Sequence, residues 1–378
     1  MWRAKTGEVT LPLHLGRAPR WLVLRMRALA KPLVRLILED FGPQQLLDRL
    51  ANPYWLQALG CLLGYDWHSS GLTTVTTAVL RDTLNELGLG AWGVGGKGRA
   101  SLLIPEQLKA LTSREGLDPG LAARLSRVSR MVAKVDTALI QAGYPIYHQA
   151  LFFTESGAWA IVQQGINASE RRARRYHWLS RFVNEFTEEP HAAAVGALEQ
   201  RPVLNLTSRL SRDNKVCQLE LLRLCPQRIL QALQLARGQG LLQEPSGLAY
   251  AQAPAGYELP RRLNWPLLRR LYEMGLSSYE ALVEVEGVGP SLLRSLALAS
   301  ELIYGTPPSW QDPVKFSFAH GGKDGVPFPV RRRLMEEAAQ FLRNAAEGCE
   351  LDAANKRELL RRLSRLYSCP PGPEASNG

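Results

Sequence analysis

The segment from Ser129 to Trp178 contains most of the side chains of this chain that suit catalysis on a phosphodiester or a base. The candidate catalytic residues within it are Lys134, Asp136, His148, Gln163, Gln164 and His177. Carboxylates and imidazoles activate water, lysine stabilises the charge that develops on a phosphate, and glutamines position a water molecule or contact a base edge. Such a density of polar groups among apolar strands predicts either a site or a buried hydrogen-bond network, and we interpret it as a site.

Two further candidates precede this segment. Asp66 and His68 come just before a helix that Ser69 or Ser70 would cap, and an Asp-x-His pair can bind a metal ion or orient a general base. Together with Asp136 they form the predicted metal set, for a divalent ion of the Mg²⁺ or Mn²⁺ type. The early turns of that helix carry four threonines, so its N-terminus is also a candidate phosphate site.

A β-hairpin is expected to position the central candidates. The apolar segments from Tyr144 to Phe153 and from Ala158 to Val162 flank Glu155-Ser156-Gly157, where Gly157 suits a positive-φ turn position. The surrounding periodicity is helical, and the helix that Pro19 begins is expected to extend to about Asp40, with a kink or a split at Pro32. The predicted fold class is α+β and mostly helical, with an N-terminal α/β catalytic-type domain built around this hairpin.

Basic side chains predict contacts with DNA. The Gly-rich segment Ala91–Arg99 is interpreted as a phosphate-binding loop or a flexible turn, with Lys97 and Arg99 supplying charge. Arg174 and Arg175 end a run of arginines that suits phosphate. Lys323 lies on a second Gly-rich loop.

The C-terminal region predicts an all-α, helix-hairpin-helix domain. A helix from Leu267 to Met274 and a second helix that Ser277-Ser278 caps are followed by Glu286–Pro290 and a third helix. Gly287 and Gly289 permit a tight turn, and Val288 is expected to fill the core behind it. The exposed amides at the start of the third helix, with Gly287, Gly289 and Ser291, are the predicted contacts with the phosphate backbone.

Composition limits the class of protein. The chain has 378 residues and a formal net charge of +11, which favours a polyanionic partner, and single-stranded or structured DNA comes first. It contains no run of about 18 apolar residues and no N-terminal apolar signal, which predicts a cytoplasmic protein without a membrane span, and a homo-oligomer is compatible with it. Five scattered cysteines suggest neither a zinc site nor a disulfide framework. The predicted organisation is a catalytic region over residues 1–237, a linker over 238–263, the hairpin domain over 264–368 and a disordered tail over 369–378.

Nearly the whole chain resembles the family known as domain of unknown function 763, found among thermophilic archaea and bacteria. The resemblance extends from about Val9 to Leu342, and the motifs that carry it are LPLHLGRAPRW, QALGCLLGYDWHSSGLTT, GGKGRAS, AKVDTALIQAGYPIYHQ, WAIVQQGINASERRARRYHW and DPVKFSFAHGGKDGVP. It implies a DNA-related role mainly through the hairpin segment.

The C-terminal segment also resembles the hairpin region of base-excision glycosylases. In their bifunctional members a nucleophilic lysine stands two residues after the second glycine, and here that position is Ser291. The resemblance therefore implies a hairpin that binds DNA without lyase chemistry, with Asp312 or Asp324 as the counterpart of the glycosylase aspartate.

Three functions follow from these observations. The first is a metal-dependent nuclease that acts on single-stranded, branched or damaged DNA. The second is a glycosylase that flips out a base, with Asp136, Asp312 or Asp324 as its acid. The third is a non-catalytic DNA-binding protein, in which the central polar residues would form a satisfied core network.

Overall fold

The protein, seen here in a computed structural model, is described over residues 11–12, 18–65, 70–199, 201–224 and 264–314. The fold is α+β and mostly helical, as predicted. The helices are α1 (Arg20–Leu50), α2 (Pro53–Leu62), α3 (Ser70–Leu87), α4 (Arg99–Leu102), α5 (Ile104–Arg114), α6 (Pro119–Lys134), α7 (Arg212–Arg223), α8 (Trp265–Met274), α9 (Tyr279–Glu284) and α10 (Pro290–Tyr304), with a π-helical turn at Val135–Leu139. Among the described residues no helix is long and apolar enough to cross a membrane.

An antiparallel sheet lies at the centre. Its strands are β1 (Leu11–Pro12), β2 (Ala91–Lys97), β4 (Ile146–Thr154), β5 (Trp159–Asn167), β6 (Arg172–Leu179) and β7 (Ala193–Val195), in the order β1-β6-β5-β4-β2 with β7 beside β6. A second small sheet pairs β3 (Ile140–Gln141) with β8 (Leu204–Asn205). The β4–β5 pair confirms the predicted hairpin, and Gly157 in its turn has a φ of 85°.

The Gly-rich segment is a strand up to Lys97, so the prediction of a loop or flexible turn there was wrong. Phosphate contact by Lys97 and Arg99 stays a prediction. β2 pairs along its whole length with β4. Side chains of neighbouring helices hold its backbone, because Asn85 of α3 bonds both polar groups of Gly93 at 2.8 Å and Gln107 of α5 accepts from the Gly95 amide at 2.6 Å. Small residues suit this strand because helix side chains approach its backbone closely.

Helix α1 forms because its apolar residues recur at helical spacing, so that Met26, Leu33 and Ile37 are buried on one face. Pro32 lies within the helix and does not split it. The helical path is interrupted at Gly42, whose φ of 78° and ψ of 166° are not helical, two residues after the predicted end near Asp40.

The two faces of the sheet pack against different helices. Alternate strand residues such as Phe152 and Val162 join a core with α1, α2 and α3, whereas Phe153 and Ile161 join a core with α5, α6 and the C-terminal helices α8, α9 and α10. Residues 264–314 therefore share a core with α6 and the sheet. The predicted linker and tail lie outside the described residues, and the predicted domain boundaries stay predictions.

Candidate functional site

The sheet divides the central candidate residues between its two faces, because successive side chains of a strand point in opposite directions. Gln163 bonds Asp136 on the side of α6, whereas the next residue, Gln164, donates to the Ser70 carbonyl at the start of α3. Asp136 and the N-terminus of α3 are thus on opposite faces. The structure does not bring those predicted candidates that lie within its described residues together in one site.

On the α6 side, five residues form a buried group that we call the Asp136 cluster: Asp136, Gln149, Gln163, Trp178 and His191. Oδ2 of Asp136 accepts from Gln163 Nε2 at 2.5 Å and from Trp178 Nε1 at 3.0 Å, and Oδ1 lies 2.5 Å from His191 Nε2. Gln149 donates to Gln163 Oε1 at 2.9 Å and orders it. Asp136 is 1 % exposed and His191 7 %, so the carboxylate is enclosed while the imidazole keeps a slight exposure.

Asp136 lies in the π-helical turn that continues α6 over Val135–Leu139. Such turns are rare, because their hydrogen bonds span one more residue than those of an α-helix, and they occur frequently at functional sites. The turn is stabilised by Gln141, whose Nε2 donates to the Ala138 carbonyl at 3.0 Å. A buried acid on a rare backbone conformation distinguishes this cluster from an ordinary core network.

His191 is the residue that sequence reasoning missed. It follows Pro190 in the connection between β6 and β7, and the only local signal is a histidine beside a proline in a polar segment. The connection is held from outside, because Glu280 accepts from the Phe186 amide at 2.6 Å and Lys215 donates to the Thr187 carbonyl at 2.7 Å. A carboxylate oxygen only accepts, so the neutral imidazole carries its proton on Nε2 and offers Nδ1 as a base.

On the α3 side, a second group lies between the sheet and helices α1 to α3. His148 Nε2 lies 2.9 Å from Thr77 Oγ1, Arg175 Nε donates to Thr73 Oγ1 at 2.7 Å, and His177 Nδ1 lies 2.9 Å from the Leu50 carbonyl oxygen. Gln164 also donates to the Tyr147 hydroxyl at 2.6 Å. We call His148, Gln164, Arg175 and His177 with these hydroxyl partners the α3-side cluster.

The protonation states of this cluster do not suit acid–base catalysis. Burial, reinforced by Arg81, lowers the pKa of His148 to about 3, and burial, reinforced by Arg175, lowers the pKa of His177 to about 3. Burial also lowers the pKa of Arg175 to about 9. Both imidazoles are enclosed and neutral, and so weakly basic that they are poor general bases near neutral pH. We therefore do not retain His148, His177 and Gln164 as catalytic candidates.

Arg174 and Arg175 were predicted to contact DNA, but their side chains lie in the interior. Arg174 donates to Asp312 Oδ2 at 2.6 Å and lies over the Tyr144 ring. Asp312 also accepts from the Glu199 amide at 2.8 Å. Both side chains of this ion pair are buried, so Asp312 serves as a counter-charge and not as an accessible acid. Neither arginine is therefore accessible to DNA in this structure.

Lys134, predicted to be catalytic, instead holds the C-terminal segment in place. Its Nζ donates to the carbonyls of Val283 at 2.7 Å and Val285 at 2.6 Å, at the end of α9. Burial lowers the pKa of Lys134, with Glu286 and Glu284 acting in the opposite direction. A cation is favoured at this position because the last carbonyls of a helix carry partial negative charge.

The turn from Val285 to Gly289, which we call the hairpin turn, connects α9 and α10. Val288 is 4 % exposed and packs in the core, as predicted. Gly287, with a φ of 89°, and Glu286 are exposed. Gly289 has no side chain to cap α10, and Pro290 has no amide hydrogen. The Ser291 and Leu292 amides therefore have no acceptor in the described part of the chain.

The hairpin turn is joined to the Asp136 cluster by a short chain of hydrogen bonds. Gln141 Nε2, which stabilises the π-helical turn, also donates to the Pro290 carbonyl at 2.9 Å. Arg294 Nε donates to Gln141 Oε1 at 2.8 Å. The turn, α10 and the segment that carries Asp136 thus form one connected unit.

Of the remaining candidates, Lys97 and Arg99 are exposed where β2 ends and α4 begins, and Lys97 Nζ lies 5.7 Å from the centre of the Tyr147 ring. Asp66, His68 and Lys323 fall outside the described residues, as does Asp324. Within the described ranges, no group of three or more His, Cys, Asp or Glu side chains is placed to hold a metal ion.

Comparison with known proteins yields one family. The model of the family described as "Protein of unknown function (DUF763)" matches residues 7–330. No curated protein and no solved structure matches the chain.

Proposed function

Because this chain belongs to the DUF763 family, whose description gives no activity, we propose its function from its own geometry: it is a DNA-processing protein that binds the nucleic-acid backbone at the hairpin turn and the first turn of α10. The observation that carries this proposal is an exposed, uncapped helix N-terminus that the protein body holds rigidly. Lys134 and Gln141 fix the backbone on either side of it, and Val288 anchors it from below.

The chemistry of this contact is independent of base sequence. Amide groups at a helix N-terminus bind a phosphate oxygen, and the helix dipole favours the negative charge. Glu286 is exposed on the same turn and opposes an anion, so the long-range attraction must come from the chain's net charge of +11. Backbone contacts of this kind position a protein on DNA without reading bases.

Replacing Ser291 by glutamate is expected to weaken DNA binding about tenfold or more while leaving the fold intact. The new carboxylate lies beside the amides and repels a phosphate. The same carboxylate in the first turn of a helix stabilises that helix by about 0.3–1 kcal/mol, so the melting temperature should stay equal or rise slightly. Fluorescence anisotropy with a labelled duplex and thermal melting followed by circular dichroism measure the two effects.

Ser291→Gln is the matched control, because it has nearly the same size without the charge and should bind almost as the wild type does. Glu286→Gln removes the negative charge that opposes an anion on this turn, so it should strengthen binding. Equal affinity of all three variants and the wild type would remove the hairpin turn from the DNA contact.

The Asp136 cluster favours a second candidate, a nuclease. Hydrogen bonds through Gln141 connect the π-helical turn that carries Asp136 to the segment proposed to bind the phosphate. In such an enzyme His191 Nδ1 would accept the proton of the attacking water, and Asp136 would hold the imidazole in the required tautomer. Both Asp136 oxygens accept hydrogen bonds within the protein, so we derive no step through a divalent ion.

Asp136→Asn separates catalysis from folding. The asparagine oxygen can still accept from Gln163 and Trp178, and its amide can donate to His191 once the imidazole changes tautomer. Because the imidazole then loses its orienting carboxylate, cleavage should fall by roughly 10³–10⁴-fold, with DNA affinity unchanged. The assay uses end-labelled single-stranded, duplex, flap and uracil-containing DNA with Mg²⁺, Mn²⁺ or EDTA.

The outcomes of that assay separate the three functions. Cuts by the wild type that Asp136→Asn loses support the nuclease, and cuts that both proteins make exclude this cluster as the catalytic site. Breaks that appear only after hot alkali, with EDTA present, indicate a glycosylase. Intact DNA in every wild-type lane, with a shifted band on a native gel, leaves a binding protein without catalysis.

A further inference from the structure

The first half of α1 has an outer face whose composition is not accounted for by the DNA contact proposed at the hairpin turn. Residues 20–35 contain five cationic side chains and no carboxylate. They are Arg20, Arg25, Arg27, Lys31 and Arg35. Two large apolar side chains are exposed among them, Trp21 at 61 % and Leu24 at 56 %. We call Arg20, Trp21, Leu24, Arg25, Ala28 and Arg35 the α1 face.

Helical spacing places these residues together on the side opposite the core. Trp21, Leu24 and Ala28 are spaced by three and four residues, so they form a stripe along the exposed side, whereas Met26 and Leu33 are buried against the sheet. The arginines flank that stripe, and the Arg25 guanidinium carbon lies 5.9 Å from the centre of the Trp21 ring. An exposed aromatic ring thus lies beside a guanidinium group on this face.

Carboxylates of the described residues do not neutralise the charges of this face. Arg27 and Lys31, at its edge, both bond Glu86, at 3.2 Å and 2.7 Å. In the part of the chain that the structure describes, no carboxylate lies within ion-pair distance of Arg20, Arg25 or Arg35. The face therefore has the charge and the flat apolar surface that complement a nucleic acid, whose phosphates are negative and whose bases have π faces.

We propose that the α1 face binds single-stranded nucleic acid, with the arginines on phosphates and an unpaired base stacked on Trp21. This inference rests on the proposed function and adds a second contact surface and a substrate class to it. Helix α1 packs on one face of the sheet, whereas the hairpin turn belongs to the other core. Two nucleic-acid surfaces on opposite sides suit a substrate with an unpaired strand beside a duplex.

The stacking step is tested with Trp21→Ala and Trp21→Phe in the full-length chain. Loss of a stacked aromatic side chain should lower the affinity for oligo-dT by roughly 5- to 150-fold, whereas phenylalanine should keep most of it. Duplex affinity should change little, because paired bases are not available for stacking. Trp21 is 61 % exposed, so circular dichroism melting should show little change in stability for either variant.

The charge contribution is tested with the triple variant Arg20→Gln, Arg25→Gln, Arg35→Gln. Each lost phosphate contact reduces the slope of log affinity against log salt by about 0.7 for a single strand, so the slope should decrease by roughly 2. The matched control removes the same charge elsewhere, with Arg124→Gln, Arg209→Gln and Arg223→Gln, whose side chains are exposed. The control should keep nearly the wild-type slope.

The results separate this inference from the hairpin proposal. Loss of oligo-dT binding in the α1 variants supports the α1 face. If Ser291→Glu also leaves the affinity for the duplex unchanged, the hairpin turn is removed from the DNA contact while the α1 proposal stands. Equal oligo-dT binding by the wild type, Trp21→Ala and the triple variant overturns the α1 proposal, whatever Ser291→Glu does. Binding of the α1 face to anionic vesicles, without binding to oligo-dT, overturns it in favour of a lipid surface.

Discussion

Lowering the pH from 7.5 to 4.5 is expected to reduce the free energy of unfolding by about 5 kcal/mol through two histidines alone. His148 and His177 have pKa values of about 3 in the folded chain, against about 6.5 in an unfolded one. Below pH 6.5 the unfolded chain therefore binds protons that the folded chain does not, and each histidine contributes roughly 2–3 kcal/mol at pH 4.5. Stability rises with pH across this interval and becomes independent of these groups above it.

The structural cause is clearest at His177. Its Nδ1 faces the Leu50 carbonyl, so Nδ1 carries the proton, and Nε2 is buried without a partner among the described residues. A proton added to Nε2 would place an unsatisfied charged group in the core. The total stability of a domain is about 5–15 kcal/mol, so the loss of about 5 kcal/mol from the two histidines is nearly enough to unfold the protein in acid.

Urea denaturation between pH 4.5 and 6, with the wild type and His177→Gln, measures the effect. Glutamine can still donate to the Leu50 carbonyl but does not titrate, so the slope of unfolding free energy against pH should fall by about 1.4 kcal/mol per pH unit. Arg209→Gln, which replaces an exposed charged side chain, serves as the control. A slope that His177→Gln leaves unchanged would mean that this histidine is protonated in the folded state.

Gly95→Ala is expected to cost more than about 4 kcal/mol, or to prevent folding. A Cβ atom at this position would lie 2.2 Å from the Gln149 carbonyl oxygen, and the φ of 101° is one that only glycine adopts readily. The contact is with backbone of the neighbouring strand β4, so relief requires the β2–β4 pair to separate. Gln149 also belongs to the Asp136 cluster, and its displacement would disturb that cluster.

Gly98→Ala provides the matched control three residues away. Its φ is also positive, at 58°, but no atom lies within 4 Å of the added methyl group, so only a backbone strain of about 1–3 kcal/mol remains. Chemical denaturation of both variants gives the comparison. A cost for Gly95→Ala equal to that of Gly98→Ala would show that the strand is not confined at this point.

Local patterns were sufficient to predict the β4–β5 hairpin and the turn between α9 and α10. In both cases a glycine at a positive φ, Gly157 or Gly287, stands between apolar segments whose period identifies the elements. Strand β2 could not be predicted in this way, because its glycines have low strand propensity. It is stabilised by Asn85 and Gln107, which only the tertiary structure brings to it.

The candidate site was predicted less completely, for the same reason. Strand alternation alone implies that Gln163 and Gln164 face opposite sides, and this could have separated the two clusters before the structure was known. The partner of Asp136 could not have been found, because His191 lies 55 residues away in an irregular connection. The burial of Arg174 contradicts the usual exposure of arginine and becomes intelligible only through Asp312.

The ion pair between Arg174 and Asp312 also constrains how the chain folds during synthesis. Asp312 follows Arg174 by 138 residues, so the ribosome releases the strand that carries Arg174 long before it releases the counter-charge, Asp312. A nascent chain that ends before Asp312 would have to bury an uncompensated guanidinium in order to close this side of the sheet, at a cost of several kcal/mol. We expect the sheet to remain open and hydrated there until the C-terminal helices emerge and dock.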